Sequence, residues 1–169
     1  MTYIDYRSIH TIVFDFDGVF TDNKVLVSEE GTEFVKCSRA DGLGIDMLRD
    51  FIDKKKLDID SFVLSTESND VVKLRCKKLK LKCFNGVNNK KEFLQKYLLS
   101  RGKNEIYTFK GLVYLGNDLN DFESMISAGV SVCPCDAHEK IKEISTIVIE
   151  KQGGEGFVRY FIEALLGLR

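Results

Sequence analysis

The chain has 169 residues, 44% hydrophobic and 30% charged, with a formal net charge of −1 and a sequence pI near 6.2. This length suits one domain with its own core, over residues 1–169, and the composition is ordinary for a soluble globular protein. A balanced charge argues against nucleic acid as a partner, and no apolar run is long enough to predict a membrane span.

Cysteine usage and the N-terminus both bear on the compartment. The five cysteines are odd in number and irregular in spacing, which favours reduced thiols over a disulfide framework. Residues 1–6 are acidic and aromatic and lack the pattern of a signal peptide. These features predict a cytoplasmic protein.

Apolar runs and helix-like segments alternate along the chain. Strands are predicted at residues 9–14, 62–64, 112–115 and 145–149, and helices at 42–52, 71–81, 90–99, 119–128 and 157–166. Strands that alternate with helices imply a parallel sheet covered on both faces, so the predicted fold class is α/β.

One segment interrupts this alternation. Residues 24–27 and 33–37 resemble two short strands around the turn at residues 28–31. We expect a hairpin at about residues 24–37, inserted after the first strand and projecting from the sheet, where it could act as a small lid or as an oligomer contact.

Polar residues follow the predicted strands. Asp15 and Asp17 come after the first strand, Ser65 after the second core strand and Asp118 after a later one, while Lys90 begins a helix. Ligands of open α/β sheets bind beyond the carboxyl ends of the strands. We therefore expect these five side chains to converge on one site.

The residue types suit attack on a phosphate monoester. A carboxylate such as Asp15 can attack phosphorus and form an aspartyl-phosphate, which water then hydrolyses. Asp17 could protonate the leaving oxygen and later activate the water. Ser65 would donate a hydrogen bond to a phosphoryl oxygen, and Lys90 would supply positive charge.

Magnesium is the predicted cofactor. An anionic nucleophile approaches a phosphate only if cations offset their repulsion, and Mg²⁺ combines carboxylates with phosphate oxygens. Asp118 is a candidate ligand, and Gly18 would let the backbone turn tightly beneath the phosphate.

The stretch at residues 15–22, Asp-Phe-Asp-Gly-Val-Phe-Thr-Asp, resembles the first motif of the haloacid dehalogenase (HAD) superfamily. Ser65, Lys90 and residues 116–121 resemble its second, third and fourth motifs, in the right order. The resemblance implies a Rossmann-like fold and a Mg²⁺ ion held by the Asp15 side chain, the Asp17 carbonyl and Asp118.

The fourth motif departs from the common pattern, because Asn117 stands where an aspartate is usual. An amide is a weaker magnesium ligand than a carboxylate, so the prediction falls on Asp118. Asn117 could still bind the ion or orient a ligated water, and Asp121 is expected to fix Lys90.

A narrower resemblance covers nearly the whole chain. A hairpin in place of a cap, together with residues 38–45, 86–90 and 153–156, is similar to the small phosphatases of 3-deoxy-octulosonate 8-phosphate and of nine-carbon sialic acid 9-phosphates. A related domain also occurs fused behind the catalytic part of acylneuraminate cytidylyltransferase. The resemblance implies a homotetramer, with the hairpin and residues 153–156 at interfaces.

Within this resemblance, Glu67 and Arg75 favour the nine-carbon substrates. The nonulosonate 9-phosphate phosphatases carry Glu at this position and Arg eight residues further on, whereas the octulosonate phosphatases typically carry Gly-Arg after the motif-two Thr. The preferred substrate is therefore a 2-keto-3-deoxy-nonulosonic acid 9-phosphate, and octulosonate 8-phosphate is the alternative. Arg75 would grip Glu67 or the sugar carboxylate. The expected substrate-binding residues are Thr21, Asp41, Gly42, Thr66, Glu67 and Arg75.

Two other functions stay open on the same scaffold. One is a non-catalytic regulatory or oligomerisation domain linked to sialic acid activation, which the complete set of motif residues argues against. The other is phosphotransferase or phosphonatase chemistry, which the absence of a cap disfavours.

Overall fold

A computed structural model of the chain describes residues 4–102 and 107–169, so residues 1–3 of the N-terminal segment lie outside the described part. Its strands, in chain order, are β1 (Thr11–Phe14), β2 (Thr21–Val27), β3 (Glu33–Cys37), β4 (Asp60–Leu64), β5 (Lys82–Phe84), β6 (Leu112–Leu115), β7 (Val130–Pro134) and β8 (Ile147–Ile149). Six of them form one sheet in the order β5-β4-β1-β6-β7-β8, and all neighbours are parallel. The parallel α/β sheet predicted from the sequence is confirmed.

The helices in the same residues are α1 (Arg39–Lys55), α2 (Asp70–Leu79), α3 (Lys90–Arg101), α4 (Phe122–Ser127), α5 (Glu139–Ile144) and α6 (Phe157–Leu165). The predicted helix at 119–128 is divided into a 3-10 turn, Leu119–Asp121, followed by α4. Strands β5 and β7 and helix α5 were not predicted. A three-residue strand, a run that ends in proline and a six-residue helix all give weak sequence signals.

Both faces of the sheet are covered, as predicted. Successive strand residues point to opposite faces, so Ile12 and Phe14 of β1 pack with α1, α2 and α6, while Val13 packs with α3, α4 and α5. Every residue of β1 and β6 is buried. This rigid centre holds the ends of β1 and β6 side by side, with Phe14 paired to Leu115.

The hairpin is also present. β2 and β3 pair antiparallel as a separate two-stranded sheet, with Leu26 opposite Phe34. The first strand begins at Thr21, three residues earlier than predicted. Leu26 and Phe34 are 74% and 56% exposed. Across the described ranges, no helix combines the length and the apolar character needed to cross a membrane.

Candidate active site

A buried ion network lies at the carboxyl end of the central strands. The Lys90 Nζ atom is 2.7 Å from Oδ1 of Asp15 and 2.7 Å from Oδ1 of Asp121. The Tyr114 hydroxyl donates to the same Asp121 oxygen at 2.7 Å. The side chains of Lys90 and Asp121 are fully buried and that of Asp15 is 5% exposed.

Local structure explains how these side chains meet. Asp15 follows β1 directly, and its N–H donates to the carbonyl of Leu115. Lys90 is the first residue of α3, whose N-terminus is capped by the Asn89 side chain. Asp121 ends the 3-10 turn after β6, and its second oxygen accepts the N–H of Asn117 at 3.0 Å. Asp121 thus contacts Lys90, the residue that it is predicted to fix.

The network contains one more carboxylate than it has ammonium groups. Burial, reinforced by the nearby Asp121 carboxylate, raises the pKa of Asp15 to about 8, against the opposing effect of Lys90. Burial opposes the charge on Lys90, but Asp15 and Asp121 more than compensate and raise its pKa. A further positive charge beside Asp15 would favour the ionised carboxylate that nucleophilic attack requires.

Asp17 lies in the tight loop that follows β1. The Thr21 hydroxyl donates to Oδ1 of Asp17 at 3.2 Å and accepts the N–H groups of Gly18 and Asn23, each at 3.2 Å. Burial raises the pKa of Asp17, and the Glu67 and Glu33 carboxylates add to that shift. Thr21 thus orients Asp17 from within the loop.

Gly18 is required by this loop. Its φ is +75°, and a Cβ atom there would lie 1.9 Å from Nδ2 of Asn117. Only glycine combines this conformation with so close an approach. The first and fourth motifs are therefore in direct contact.

The reaction cavity, as we name the space in front of Asp15, has a volume of about 260 Å³. Its lining residues are Asp15, Asp17, Asn23, Ser65, Thr66, Asn117, Asp118 and Asn120. The Ser65 Oγ atom accepts the N–H of Glu67 at 3.0 Å, which leaves its own hydrogen free to donate. The structure thus brings together Asp15, Asp17, Ser65, Thr66, Asn117 and Asp118.

The oxygen donors of this cavity suit a hard divalent cation. The Oδ1 atom of Asn117 is buried and has no hydrogen-bond partner, an arrangement that is costly unless a ligand satisfies it. No cluster of three or more His, Cys, Asp or Glu side chains that could hold a metal is found in the described residues. The predicted set has only two side-chain carboxylates, Asp15 and Asp118, because its third ligand is a backbone carbonyl.

A second space, which we name the side cavity, adjoins the first through Asp17 and Asn23 and measures about 250 Å³. It is lined by Phe16, Asp17, Asn23, Val25, Glu33, Val35, Glu67, Asn69, Val71 and Val72. Glu67, predicted to bind substrate, therefore lies here. Its Oε1 atom accepts the N–H groups of Ser68 and Asn69 at 2.7 and 2.9 Å.

Arg75, Gly42 and Asp41 lie outside both cavities. An Nη atom of Arg75 donates to the Ser38 carbonyl at 3.1 Å, and Arg75 lines a separate groove with Gly42. No ion pair joins Arg75 to Glu67 in the described residues, so that expected contact is absent from the single chain.

Asp41 is fully buried against the start of α6. Its Oδ1 atom accepts the Arg159 N–H at 2.8 Å, and burial raises the pKa of this carboxyl group to about 6 against the hydrogen bonds from α6. Its position is that of a side chain that anchors α6.

The segment at residues 153–156 packs against the first motif of its own chain. The Gly154 N–H donates to the carbonyl of Val19 at 3.1 Å. A Cβ atom on Gly153 would lie 2.0 Å from the Gly18 carbonyl oxygen. Gly153 and Gly154 are buried and Glu155 is exposed, so a subunit contact here would use the exposed side of the turn.

Sequence reasoning missed Asn23, Asn120 and Glu33 as cavity residues. Asn23 has a positive φ of 59° at the start of the hairpin, and Asn120 lies inside the fourth motif. Position within the motif could have suggested Asn120. Nothing in the sequence near Glu33 indicates that the hairpin folds back over the loop after β1.

No family model matches the chain. Among curated proteins, the 3-deoxy-D-manno-octulosonate 8-phosphate phosphatase of Haemophilus influenzae is 28% identical over 95% of this chain and 84% of its own length. The N-acylneuraminate cytidylyltransferase of Oncorhynchus mykiss is 24% identical over 95% of this chain, which spans only 36% of that protein.

Solved structures extend the similarity. A Streptomyces avermitilis protein assigned to the HAD hydrolase family is 32% identical, with a TM-score of 0.88 over 98% of this chain and 90% of that one. The 3-deoxy-D-manno-octulosonate 8-phosphate phosphatase of Moraxella catarrhalis, solved with magnesium, phosphate and its sugar acid, is 25% identical, with a TM-score of 0.83 over 97% of this chain and 89% of its own.

Proposed function

The chain belongs to the haloacid dehalogenase superfamily and is a phosphatase, and we propose that it hydrolyses a phosphorylated sugar acid with Asp15 as nucleophile. The observation that carries the proposal is the buried Lys90–Asp15 contact of 2.7 Å at the wall of the reaction cavity. Lys90 holds a carboxylate in place there and offsets charge, as a nucleophile that approaches an anionic phosphate requires.

In this proposal a carboxylate oxygen of Asp15 forms a bond to phosphorus, and the bond between phosphorus and the ester oxygen breaks. Asp17 gives its proton to the departing alcohol, and burial, which raises the pKa of Asp17, favours this role as a proton donor. Asp17 then takes a proton from water, which attacks the phosphorus of the aspartyl-phosphate. Inorganic phosphate leaves, and Asp15 is free again.

In the same proposal, the remaining cavity residues bind and orient the phosphate group and the metal ion. Ser65, with its hydroxyl hydrogen free, donates to a phosphoryl oxygen, and Thr66 lies beside it. Asp15, Asp118 and the carbonyl of Asp17 would hold Mg²⁺, with Asn117 beside them. The ion would supply Lewis-acid stabilisation of the phosphate charge. The Moraxella catarrhalis phosphatase, solved with magnesium and phosphate, supports this choice of cofactor.

We propose a 2-keto-3-deoxy-nonulosonic acid 9-phosphate as substrate, because Glu67 lines the side cavity next to Asp17. The related N-acylneuraminate cytidylyltransferase supports a sialic-type sugar. The second candidate is 3-deoxy-D-manno-octulosonate 8-phosphate, which the Haemophilus influenzae relative favours by its name and identity. A panel of the two substrates would separate them: a higher kcat/KM for the eight-carbon compound would contradict the proposed role of Glu67.

We also propose that the chain forms a homotetramer in the cytoplasm. The exposed apolar side chains of β2 and β3 support a subunit contact at the hairpin, and the five unpaired cysteines support a reducing compartment. Light scattering tests the assembly: a fully active monomer would overturn it.

Asp15→Asn tests the mechanism. The amide cannot form the acyl-phosphate, so we expect turnover of an aryl phosphate with Mg²⁺ to fall by roughly three orders of magnitude or more. The fold should persist, because the amide has nearly the shape of the carboxylate. Retained turnover in a folded variant would rule out Asp15 as nucleophile, and an inactive wild type would rule out the proposed function.

A further inference from the structure

The side cavity has an acidic lining that the proposed function uses only in part, through Asp17 and Glu67. Among the described residues, three of its lining side chains are carboxylates, Asp17, Glu33 and Glu67, and none is Lys, Arg or His. The proposed catalytic cation, Lys90, is held between Asp15 and Asp121 and lines neither cavity. An anionic group placed here would meet uncompensated negative charge.

Its position makes it the natural space for the group that leaves with the ester oxygen. It adjoins the reaction cavity at Asp17, the proposed proton donor to that oxygen, and at Asn23. A phosphate beside Asp15 and Ser65 therefore directs the next atoms of its ester either into the side cavity or out to solvent.

The acidic wall is fixed by hydrogen bonds. The Asn69 Nδ2 atom donates to Oε2 of Glu33 at 2.9 Å, which connects the hairpin strand β3 to the N-cap of α2. The Oε1 atom of Glu67 is held by two backbone N–H groups. The other wall is apolar, formed by Phe16 and by valines at 25, 35, 71 and 72.

We propose that the side cavity is an anion-excluding subsite that takes an uncharged, hydroxyl-bearing segment of the leaving alcohol, with Glu33 as a specificity-determining residue. Hydroxyl groups donate to carboxylate oxygens, and the carbon backbone packs on the apolar wall. This inference rests on the proposed function. It requires a sugar-acid substrate to carry its carboxylate far from the phosphate, at the other end of the chain.

Two matched three-carbon esters test the inference. Glycerol 3-phosphate has a neutral leaving alcohol, and in 3-phosphoglycerate a carboxylate replaces the terminal CH₂OH group of that alcohol. We expect kcat/KM to be about tenfold higher for glycerol 3-phosphate at low ionic strength, as repulsion from two partly solvated carboxylates implies. The ratio should shrink in high salt, because Glu33 and Glu67 are exposed and therefore screened.

Glu33→Gln removes one of the negative charges and keeps an oxygen that can accept from Asn69. For this variant, the ratio of kcat/KM for glycerol 3-phosphate to that for 3-phosphoglycerate should move severalfold toward one. Glu30→Gln, in the exposed hairpin turn outside both cavities, is the matched control and should keep the wild-type ratio. Thermal melting curves check that both variants fold.

A wild-type ratio near one, or one that Glu33→Gln leaves unchanged, would overturn the inference. The inference also fails if an aryl phosphate is hydrolysed but neither three-carbon ester is hydrolysed, because the side cavity would then not admit a polyol chain. If the aryl phosphate is also untouched, the proposed function fails instead.

Discussion

Two lysines of this molecule make similarly short ion pairs in opposite surroundings. Lys90 contacts Asp15 and Asp121 at 2.7 Å with its side chain fully buried, whereas Lys36 on the hairpin contacts Glu155 at 2.6 Å with the two side chains 67% and 50% exposed. Water and salt screen the hairpin pair, whereas burial largely shields the Lys90 network from both. Burial, rather than distance, therefore decides how strongly each contact is coupled to the fold.

The same contrast holds for the regions around the two lysines. The residues near Lys90 belong to strands and helices that pack on both faces of the sheet. The hairpin forms its own two-stranded sheet and leaves Val25, Leu26, Val27 and Phe34 exposed. We expect changes in the first region to affect catalysis and stability together, and changes in the second to affect selectivity or assembly.

Lys90→Met should have a large effect on stability. It leaves Asp15 and Asp121 buried without their cation, and breaking such a pair typically costs about 3–5 kcal/mol. Lys36→Met is the matched control and should leave the free energy of unfolding nearly unchanged, because water and salt screen its exposed ion pair. Urea denaturation measures both. Similar losses for the two variants would contradict the ranking by burial.

Activity sharpens the same comparison. Lys90→Met should also abolish most phosphatase activity, since the Asp15 carboxylate loses the ammonium group that holds and balances it. Lys36→Met should keep it, because Lys36 lies outside both cavities.

The sequence predicted the buried region well because its signals are local. A β-branched run that ends in Asp15, and a helix that begins at Lys90, specify where each side chain leaves the backbone. Parallel pairing then brings the strand ends together. The contact between Lys90 and Asp121 was expected only through the family resemblance, because 31 positions separate the two residues.

The sequence predicted the surroundings less well, because tertiary packing decides them. Asp41 and Gly42 stay predicted as substrate-binding residues, but nothing in the sequence indicates that α6 returns across the start of α1 or that the Arg159 N–H donates to Asp41. Arg75 was expected to reach Glu67, but its guanidinium contacts the Ser38 carbonyl. Such contacts depend on how helices pack against each other, which periodicity does not encode.

Asp41 offers a test of intermediate size, through the pH dependence of stability. Its folded pKa of about 6 lies above the ordinary aspartate value of 3.8, so the folded state binds the proton more tightly than the unfolded state. The stabilisation from the protonated form is present below about pH 4 and is lost as pH rises through 6, by at most about 3 kcal/mol.

Asp41→Asn cannot ionise and keeps an oxygen that can accept from the Arg159 N–H. We therefore expect the wild type to lose stability relative to this variant between pH 4 and pH 7, as measured by urea denaturation at each pH. A difference that stays constant, or that favours the wild type at pH 7, would mean that the hydrogen bonds from α6 outweigh the cost of burying the charge.

The hairpin should give the smallest change in folding stability. Phe34 is 56% exposed and lies opposite the exposed Leu26, so Phe34→Ser should alter the free energy of unfolding by less than about 0.5 kcal/mol in dilute protein. Phe20→Ala is the buried counterpart, since Phe20 is 1% exposed, and truncation there typically costs about 3–5 kcal/mol.

Light scattering on the same samples separates folding from assembly. A Phe34→Ser variant that folds normally but dissociates would assign the apolar face of the hairpin to a subunit contact. A loss of several kcal/mol with no change in mass would instead mean that Phe34 supports the fold of its own chain.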